Sequence, residues 1–138
     1  MASSNVILSR TFNLSSDHNN LSSNTTGYFK CVRIGDADNN CGQTQAAGAR
    51  VLGITQAPAK KGKGVPVAIA GISKVRLGNT VTRGDHLSAG ADGRAVRYLG
   101  TTSKHIFAVA LQSGGTGDVV ECIINNIGFA PTGTVATL

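Results

Sequence analysis

The sequence predicts an all-β fold: a small antiparallel β-sandwich or jelly-roll-like barrel with an extended N-terminal arm and an irregular C-terminal tail. Two stretches share one plan, in which a short apolar strand, a glycine-rich loop and a second apolar strand follow one another. This plan is typical of β-hairpins. The 138 residues include 18 glycines, which suit turns but cost about 1 kcal/mol each inside a helix. No long amphipathic helical repeat competes with the strands.

The length of the chain favours one domain with a modest core. We divide it into a polar N-terminal arm at 1–26, a β-sandwich or jelly-roll domain at 27–126 and a C-terminal tail at 127–138. The tail is apolar enough to dock on the domain, but it has no helix or strand signature.

The N-terminal arm is rich in Ser and Asn, yet it carries more apolar residues than a purely solvating tail needs. One interpretation is a disordered terminus. The interpretation that we favour is an arm that adds a strand to the sheet edge of a neighbouring subunit. Its expected contact residues are Val6, Ile7, Leu8, Phe12 and Leu14.

The first part of the domain predicts a strand, a turn and a hairpin in that order. Residues 28–34 alternate like a strand, and the cluster Gly35–Asn40 is typical of a turn. The first hairpin pairs 51–55 with 65–69, and its loop carries three lysines. That loop lacks the helix and the Ser/Thr that a phosphate-binding P-loop requires.

The second part continues with a bend, a turn and the second hairpin. Gly71 is a natural place for a bulge or bend, after which Val75 and Leu77 are predicted to stay on the same face as Val65. A turn at 90–93 separates two short strands, and the second hairpin pairs 106–110 with 119–124.

The positive charge is concentrated in the middle of the chain. Between Arg50 and Lys104, ten Lys and Arg residues face two carboxylates, a net charge of +8, whereas the whole chain carries +6. Such a segment favours an acidic partner, either nucleic acid, an anionic membrane or an acidic protein surface; a solvated surface that aids solubility is the alternative. The partner-binding residues that we predict are Lys60, Lys61, Lys63, Lys74, Arg76, Arg83, Arg94 and Arg97.

The sequence offers no recognisable catalytic machinery. None of the three histidines lies in a nucleophile motif, and the acids fall mostly in turns. The three cysteines have neither zinc-ligand spacing nor the even count of a disulfide framework, which favours a reducing cytoplasm as the place of folding. We therefore expect no enzyme activity, no cofactor, no metal and no membrane span.

A nucleic-acid-binding β-barrel is the alternative function. Such barrels combine a basic groove with stacking aromatic side chains. The basic segment between Arg50 and Lys104 could supply the groove. However, Tyr98 and Phe107 are the only aromatic residues in or beside this segment, and Phe107 lies in an apolar run. Nucleic acid is thus the less favoured partner.

The segment from Gly48 to Asn126 resembles the head-decoration, or capsid cement, proteins of tailed bacteriophages. The resemblance covers a little over half of the chain. The shared pattern consists, in chain order, of an apolar strand with a glycine bend, a Thr-x-Gly-Asp turn, an Asp-Gly turn and a closing hairpin. These motifs are 65–72, 81–87, 91–95, 106–110 and 117–123.

The resemblance implies a structural protein on the outer surface of a phage head, made in the host cytoplasm and without catalytic residues. Its implied partner is the major capsid protein, whose neighbouring subunits it would cement against the pressure of the packaged DNA. Self-association as a homodimer or a trimer at a capsid symmetry axis is expected as well.

Overall fold

The computed structural model describes residues 5–14, 28–100 and 104–130, and every regular element within them is a β-strand. The all-β prediction is confirmed. The strands are β1 Asn5–Leu14, β2 Cys31–Ile34, β3 Asn40–Gln43, β4 Gly53–Thr55, β5 Gly64–Arg76, β6 His86–Ala89, β7 Ala95–Arg97, β8 Lys104–Ala110 and β9 Val119–Ala130.

The nine strands form one mixed sheet, in the order β1-β3-β2-β4-β5-β9-β8-β6-β7. The additional pairing of β1 with β5 closes the first five strands into a ring, which we call the first ring. The β1–β3 pair is parallel, and the other strand pairs are antiparallel. The chain thus forms one continuous mixed sheet, part of which closes on itself.

A second ring shares β5 with the first. It runs β5-β9-β8-β6-β7 and is closed by an isolated parallel bridge from Leu77, just beyond β5, to Ala95 in β7. Both predicted hairpins are confirmed, because β4 pairs with β5 in the first ring and β8 with β9 in the second. Closure matters because it leaves few unpaired edges that could template aggregation.

The side chains of β5 change sides at Gly71. Val65 packs in one core cluster and Val75 in the other, although an even number of positions separates them and a regular strand would keep them on one face. Gly71 has a φ of 101°, which favours glycine. The predicted bend is confirmed, whereas the prediction that Val75 and Leu77 keep the face of Val65 is wrong.

Each ring has its own apolar core. The core of the first ring draws on β1, β2, β3 and β5, and the larger core of the second ring also takes in side chains from β2 and β4. The buried members of the first are Leu14, Val32, Cys41, Ala59, Val65 and Val67. Those of the second are Cys31, Val51, Ile54, Val75, Leu77, Val81, Leu87, Ala89, Ala95, Phe107, Ala108, Ala110, Val120 and Cys122.

The second ring contains an internal repeat of two Gly-Asp turns, at 82–85 and 115–118. The turns are linked by a reciprocal pair of backbone hydrogen bonds between Val81 and Gly114, both 2.9 Å. The Gly84 amide donates to the Ala110 carbonyl (2.7 Å), and the Gly117 amide donates to the Leu77 carbonyl (2.8 Å). The two turns thus make equivalent backbone hydrogen bonds within the second ring.

Each of these turns is held by its own aspartate. The Asp85 carboxylate accepts the Thr82 amide at 2.9 Å, and the Asp118 carboxylate accepts the Gly115 amide at 2.8 Å. Since hydrogen bonds to a charged group contribute somewhat more than neutral ones, Asp85→Ala and Asp118→Ala should each lower the free energy of unfolding by about 1 kcal/mol. Urea denaturation followed by circular dichroism measures this. Asp36→Ala is the control, and losses that differ strongly between the two turns would contradict the repeat.

Three elements depart from the predicted organisation. The arm does not extend to a neighbour over residues 5–14, because these residues form β1 in the sheet of their own chain. Residues 40–43 form β3, a strand that the sequence analysis does not predict. The predicted irregular tail begins as strand, because β9 continues to Ala130 and pairs with the start of β8. Residues 1–4, 15–27 and 131–138, which hold the rest of the arm and tail predictions, lie outside the described residues.

All three cysteines are buried free thiols. Burial raises the pKa of Cys41 to about 11, and it raises the pKa of Cys122 to about 12. Burial also raises the pKa of Cys31, with a further contribution from Cys122. Because the thiolate is the reactive form, the native protein should resist Ellman's reagent at mildly alkaline pH. Unfolding in guanidinium should release three reactive thiols, and Cys41→Ala should reduce the count to two. Rapid labelling of the native state would contradict this burial.

Candidate functional site

The eight predicted partner-binding cations lie in four places. Lys60, Lys61 and Lys63 are exposed on the β4–β5 loop, which is tied to the end of β1 by backbone bonds. Arg83 is exposed in the first Gly-Asp turn, and Arg97 is exposed at the end of β7. The remaining three, Lys74, Arg76 and Arg94, meet around a turn that precedes β2. We call this group, with Phe29, Lys30 and Asp92, the Phe29 cluster.

The backbone at Phe29 is held in an uncommon conformation. Its φ is 59°, a left-handed value that is a genuine outlier for a bulky side chain. The Phe29 amide donates to the Thr55 carbonyl at 2.9 Å, and the Phe29 carbonyl accepts the Arg76 amide at 3.0 Å. The turn is therefore fixed between β4 and β5, and residues kept in such a conformation often lie at functional sites.

Aromatic and cationic side chains meet at this turn. The Lys74 ammonium lies 5.7 Å from the centre of the Phe29 ring, and the Tyr28 ring centre lies 5.6 Å from it in a tilted arrangement. A cation at this distance from a ring face is attracted by the ring quadrupole. Arg76 donates through Nη1 to the Gly117 carbonyl at 3.2 Å, while its buried Nε has no partner among the described residues.

Lys30 adds a buried positive charge beneath the turn. Its side chain is 6% exposed, and its Nζ donates to the Asp92 carbonyl oxygen at 2.9 Å. Burial lowers the pKa of Lys30; the Asp92 carboxylate opposes this, and the charges of Arg94 and Arg76 reinforce it. The Lys30 ammonium thus lies among other cations, and a backbone carbonyl oxygen is its hydrogen-bond acceptor.

Asp92 is a carboxylate that pairs with one of these cations. It pairs with the Arg94 Nε at 2.6 Å and accepts the Arg94 amide at 3.2 Å. Burial alone would raise the pKa of Asp92, but the two hydrogen bonds from Arg94 and the charges of Arg94 and Lys30 outweigh it and hold the pKa below its usual value. On the outer face of β5, Lys74 stands opposite Glu121 of β9. The cluster thus combines four cations with one carboxylate, and Glu121 lies beside it on β9.

Such an arrangement has the charge to attract a polyanionic surface. A partly exposed row of ammonium and guanidinium groups attracts carboxylates or phosphates over a distance set by the ionic strength. Within the described ranges, no group of three or more His, Cys, Asp and Glu residues could hold a metal ion. In the same parts of the chain, no helix is long and apolar enough to span a membrane.

The predicted arm contacts divide into two groups. Leu14 is 2% exposed in the core of the first ring and Phe12 packs against it, so the expectation that these two contact a neighbour is corrected. Val6 is half-buried in β1. Ile7 and Leu8 are 81% and 52% exposed and stay predicted partner contacts.

No protein-family model matches the chain, and no curated protein matches it. Among solved structures, it is similar to the N base of the head fibre gp8.5 of bacteriophage phi29, with a TM-score of 0.62 and 20% sequence identity. The match covers 86% of this chain and 93% of that one. The chain shares its fold with a phage head fibre base. At this identity, the shared fold carries no residue correspondence.

Three members of the Phe29 cluster, Phe29, Lys30 and Asp92, are not among the predicted partner-binding residues. The strand-like alternation of residues 28–34 predicts a regular strand at Phe29 and Lys30. Their environment comes from Thr55, Arg76 and Asp92, which are distant in sequence. No local pattern predicts those contacts. The one available signal is a lysine among residues that are otherwise expected to be buried, because a buried lysine requires a polar or charged partner.

Proposed function

We propose that this chain is a structural protein of a bacteriophage virion that binds the outer surface of the head and cements neighbouring major capsid subunits. The observation that carries the proposal is the fold shared with a phage head fibre base over most of both chains. The resemblance of residues 48–126 to capsid cement proteins supports it independently.

The charge and shape of the molecule fit such a role. A clamp that touches two subunits gains affinity, because its second contact forms at a high effective concentration. A net charge of +6 favours association with an acidic shell. The exposed Ile7 and Leu8 of β1 supply apolar contact area. Self-association as a dimer or trimer would place several such surfaces around one symmetry axis.

The test uses undecorated heads assembled from the major capsid protein of the same genome. Purified chain should co-sediment with these heads at a saturating, symmetry-related stoichiometry, and it should raise the temperature at which DNA-filled heads rupture. Heads that bind no chain at low salt would overturn the proposal.

Charge variants then identify the contact. Lys74→Gln addresses the Phe29 cluster, and the combined Lys60→Gln, Lys61→Gln and Lys63→Gln addresses the β4–β5 loop. Neutralising the contact should weaken head binding at least about tenfold and reduce its salt dependence. Lys104→Gln, at the start of β8 and outside the eight predicted partner-binding residues, is the control that matches the single charge removed by Lys74→Gln. Equal affinities for all variants would exclude both cationic groups as the contact.

Binding of single-stranded nucleic acid is the second candidate, because the structure places Tyr28 and Phe29 beside Lys74. Stacking on an aromatic platform contributes about 1–3 kcal/mol per base, so Tyr28→Ala should weaken binding of a labelled oligonucleotide. Fluorescence anisotropy over a series of salt concentrations measures this. No binding at low salt would remove this candidate and leave the capsid proposal intact.

A further inference from the structure

A cleft separates the end of β2 from β8, on a part of the molecule that the Phe29 cluster does not include. Its volume is about 520 Å³, within the range of ligand-binding clefts in proteins. Residues from both rings line it, since Ile34 and Ile69 belong to the first ring and His105 to the second. We call it the Ile34 cleft.

The walls of the Ile34 cleft are largely apolar. Ile34 is 68% exposed, and the partly buried Leu52 and Ile69 line the cleft with it. An isoleucine this exposed at the end of a strand offers apolar area that a partner can cover, and burial of such area drives association. Phosphate-rich ligands fit this lining poorly, because they would desolvate charge against hydrocarbon.

The polar groups of the cleft are cationic or neutral. Arg33 and Arg50 line it, and none of its described lining residues carries a carboxylate. His105 is oriented by a hydrogen bond, in which its Nδ1 accepts the Val51 amide at 3.2 Å. Burial lowers the pKa of His105, and the nearby Arg50 guanidinium lowers it further. A carboxylate placed beside Arg50 would be stabilised by the guanidinium. It would also oppose the effect of Arg50 on His105 and so raise the pKa of the imidazole.

We propose that the Ile34 cleft binds an extended peptide segment of a protein partner in which an Asp or Glu side chain lies between apolar ones. The apolar side chains would cover Ile34, Leu52 and Ile69, and the carboxylate would pair with Arg50, since arginine is well suited to carboxylates. This inference goes beyond the proposed capsid role and does not depend on it.

The experiment titrates the isotope-labelled chain with a blocked peptide of alternating leucine and glutamate, and in parallel with its leucine–glutamine counterpart. The glutamate peptide should shift the amide resonances of Ile34, Leu52 and His105 saturably and should bind at least tenfold more tightly. It should also raise the pKa of the His105 imidazole, measured from the ring resonances during a pH titration.

Two variants with matched controls locate the contacts. Arg50→Gln should remove the preference for glutamate over glutamine, whereas Arg97→Gln, which changes an exposed arginine outside the cleft, should preserve it. Ile34→Ser should weaken both peptides, whereas Ile123→Ser, at a position 41% exposed on β9, should weaken neither.

Several outcomes would overturn the proposal. Equal affinity for the two peptides would show that the carboxylate is not recognised. No saturable shift of the cleft resonances would show that the peptide does not bind there. Stronger shifts of the same resonances by a single-stranded oligonucleotide would assign the cleft to nucleic acid. Shifts that appear on concentrating the chain alone would assign it to a second copy of the molecule.

Discussion

Phe107→Ala should lower the free energy of unfolding by about 3–5 kcal/mol. Phe107 is 1% exposed and is the largest fully buried side chain. It projects from β8 into the core of the second ring, where close packing leaves a truncated site little room to collapse. Since domains of this size are stable by roughly 5–15 kcal/mol, this single change removes a large part of the folding free energy.

Urea denaturation followed by far-ultraviolet circular dichroism is the measurement, because the chain has no tryptophan to report unfolding. Phe107→Leu keeps most of the apolar volume and should lose much less, which keeps the prediction testable even if the alanine variant fails to fold. Phe12→Ala removes the same side chain from a partly exposed position in β1 and should lose less than half as much. Equal losses at the two positions would contradict the assigned cores.

The local parts of this fold could be predicted from the sequence, because their determinants are adjacent in the chain. The two hairpins follow from apolar runs that flank glycine-rich loops, and the Gly-Asp turns follow from residues three positions apart. Gly71 was recognised for the same reason, since a glycine inside a strand pattern marks a bend. The consequence of that bend for Val75 depends on which core each half of β5 enters, and no local pattern contains that information.

The long-range parts could not be predicted. The pairing of β1 with β5 joins Asn5 to Ile72 and Asn13 to Gly64, and the alternation of residues 10–14 indicates a strand without naming its partner. The sequence therefore allows the arm to pair with a neighbouring subunit, whereas in the structure residues 5–14 pair with β5 of their own chain. The candidate sites follow the same rule, because the Phe29 cluster and the Ile34 cleft both assemble residues from distant segments.

Because the first ring is closed, the stability of the protein should also be unusually sensitive to substitution of Gly53. Gly53 lies in β4 between β2 and β5, where it pairs with Val32 on one side. A Cβ atom at Gly53 would overlap the Ala68 carbonyl oxygen and would lie 2.7 Å from the Val67 Cγ1. The first of these atoms is backbone in the shared strand β5, so no side-chain rotation relieves the overlap.

Gly53→Ala should therefore lower the free energy of unfolding by about 3 kcal/mol, at the upper end of the range for overpacked sites. Gly62→Ala is the matched control, because Gly62 has open space around its Cβ position but a φ of 77°. The Gly62→Ala variant should lose only about 1 kcal/mol of unfolding free energy, from backbone strain alone. Urea denaturation of the two variants separates steric overlap from conformational strain. A Gly53→Ala variant as stable as the parent would mean that β4 and β5 do not approach closely, and that the first ring is not closed as described.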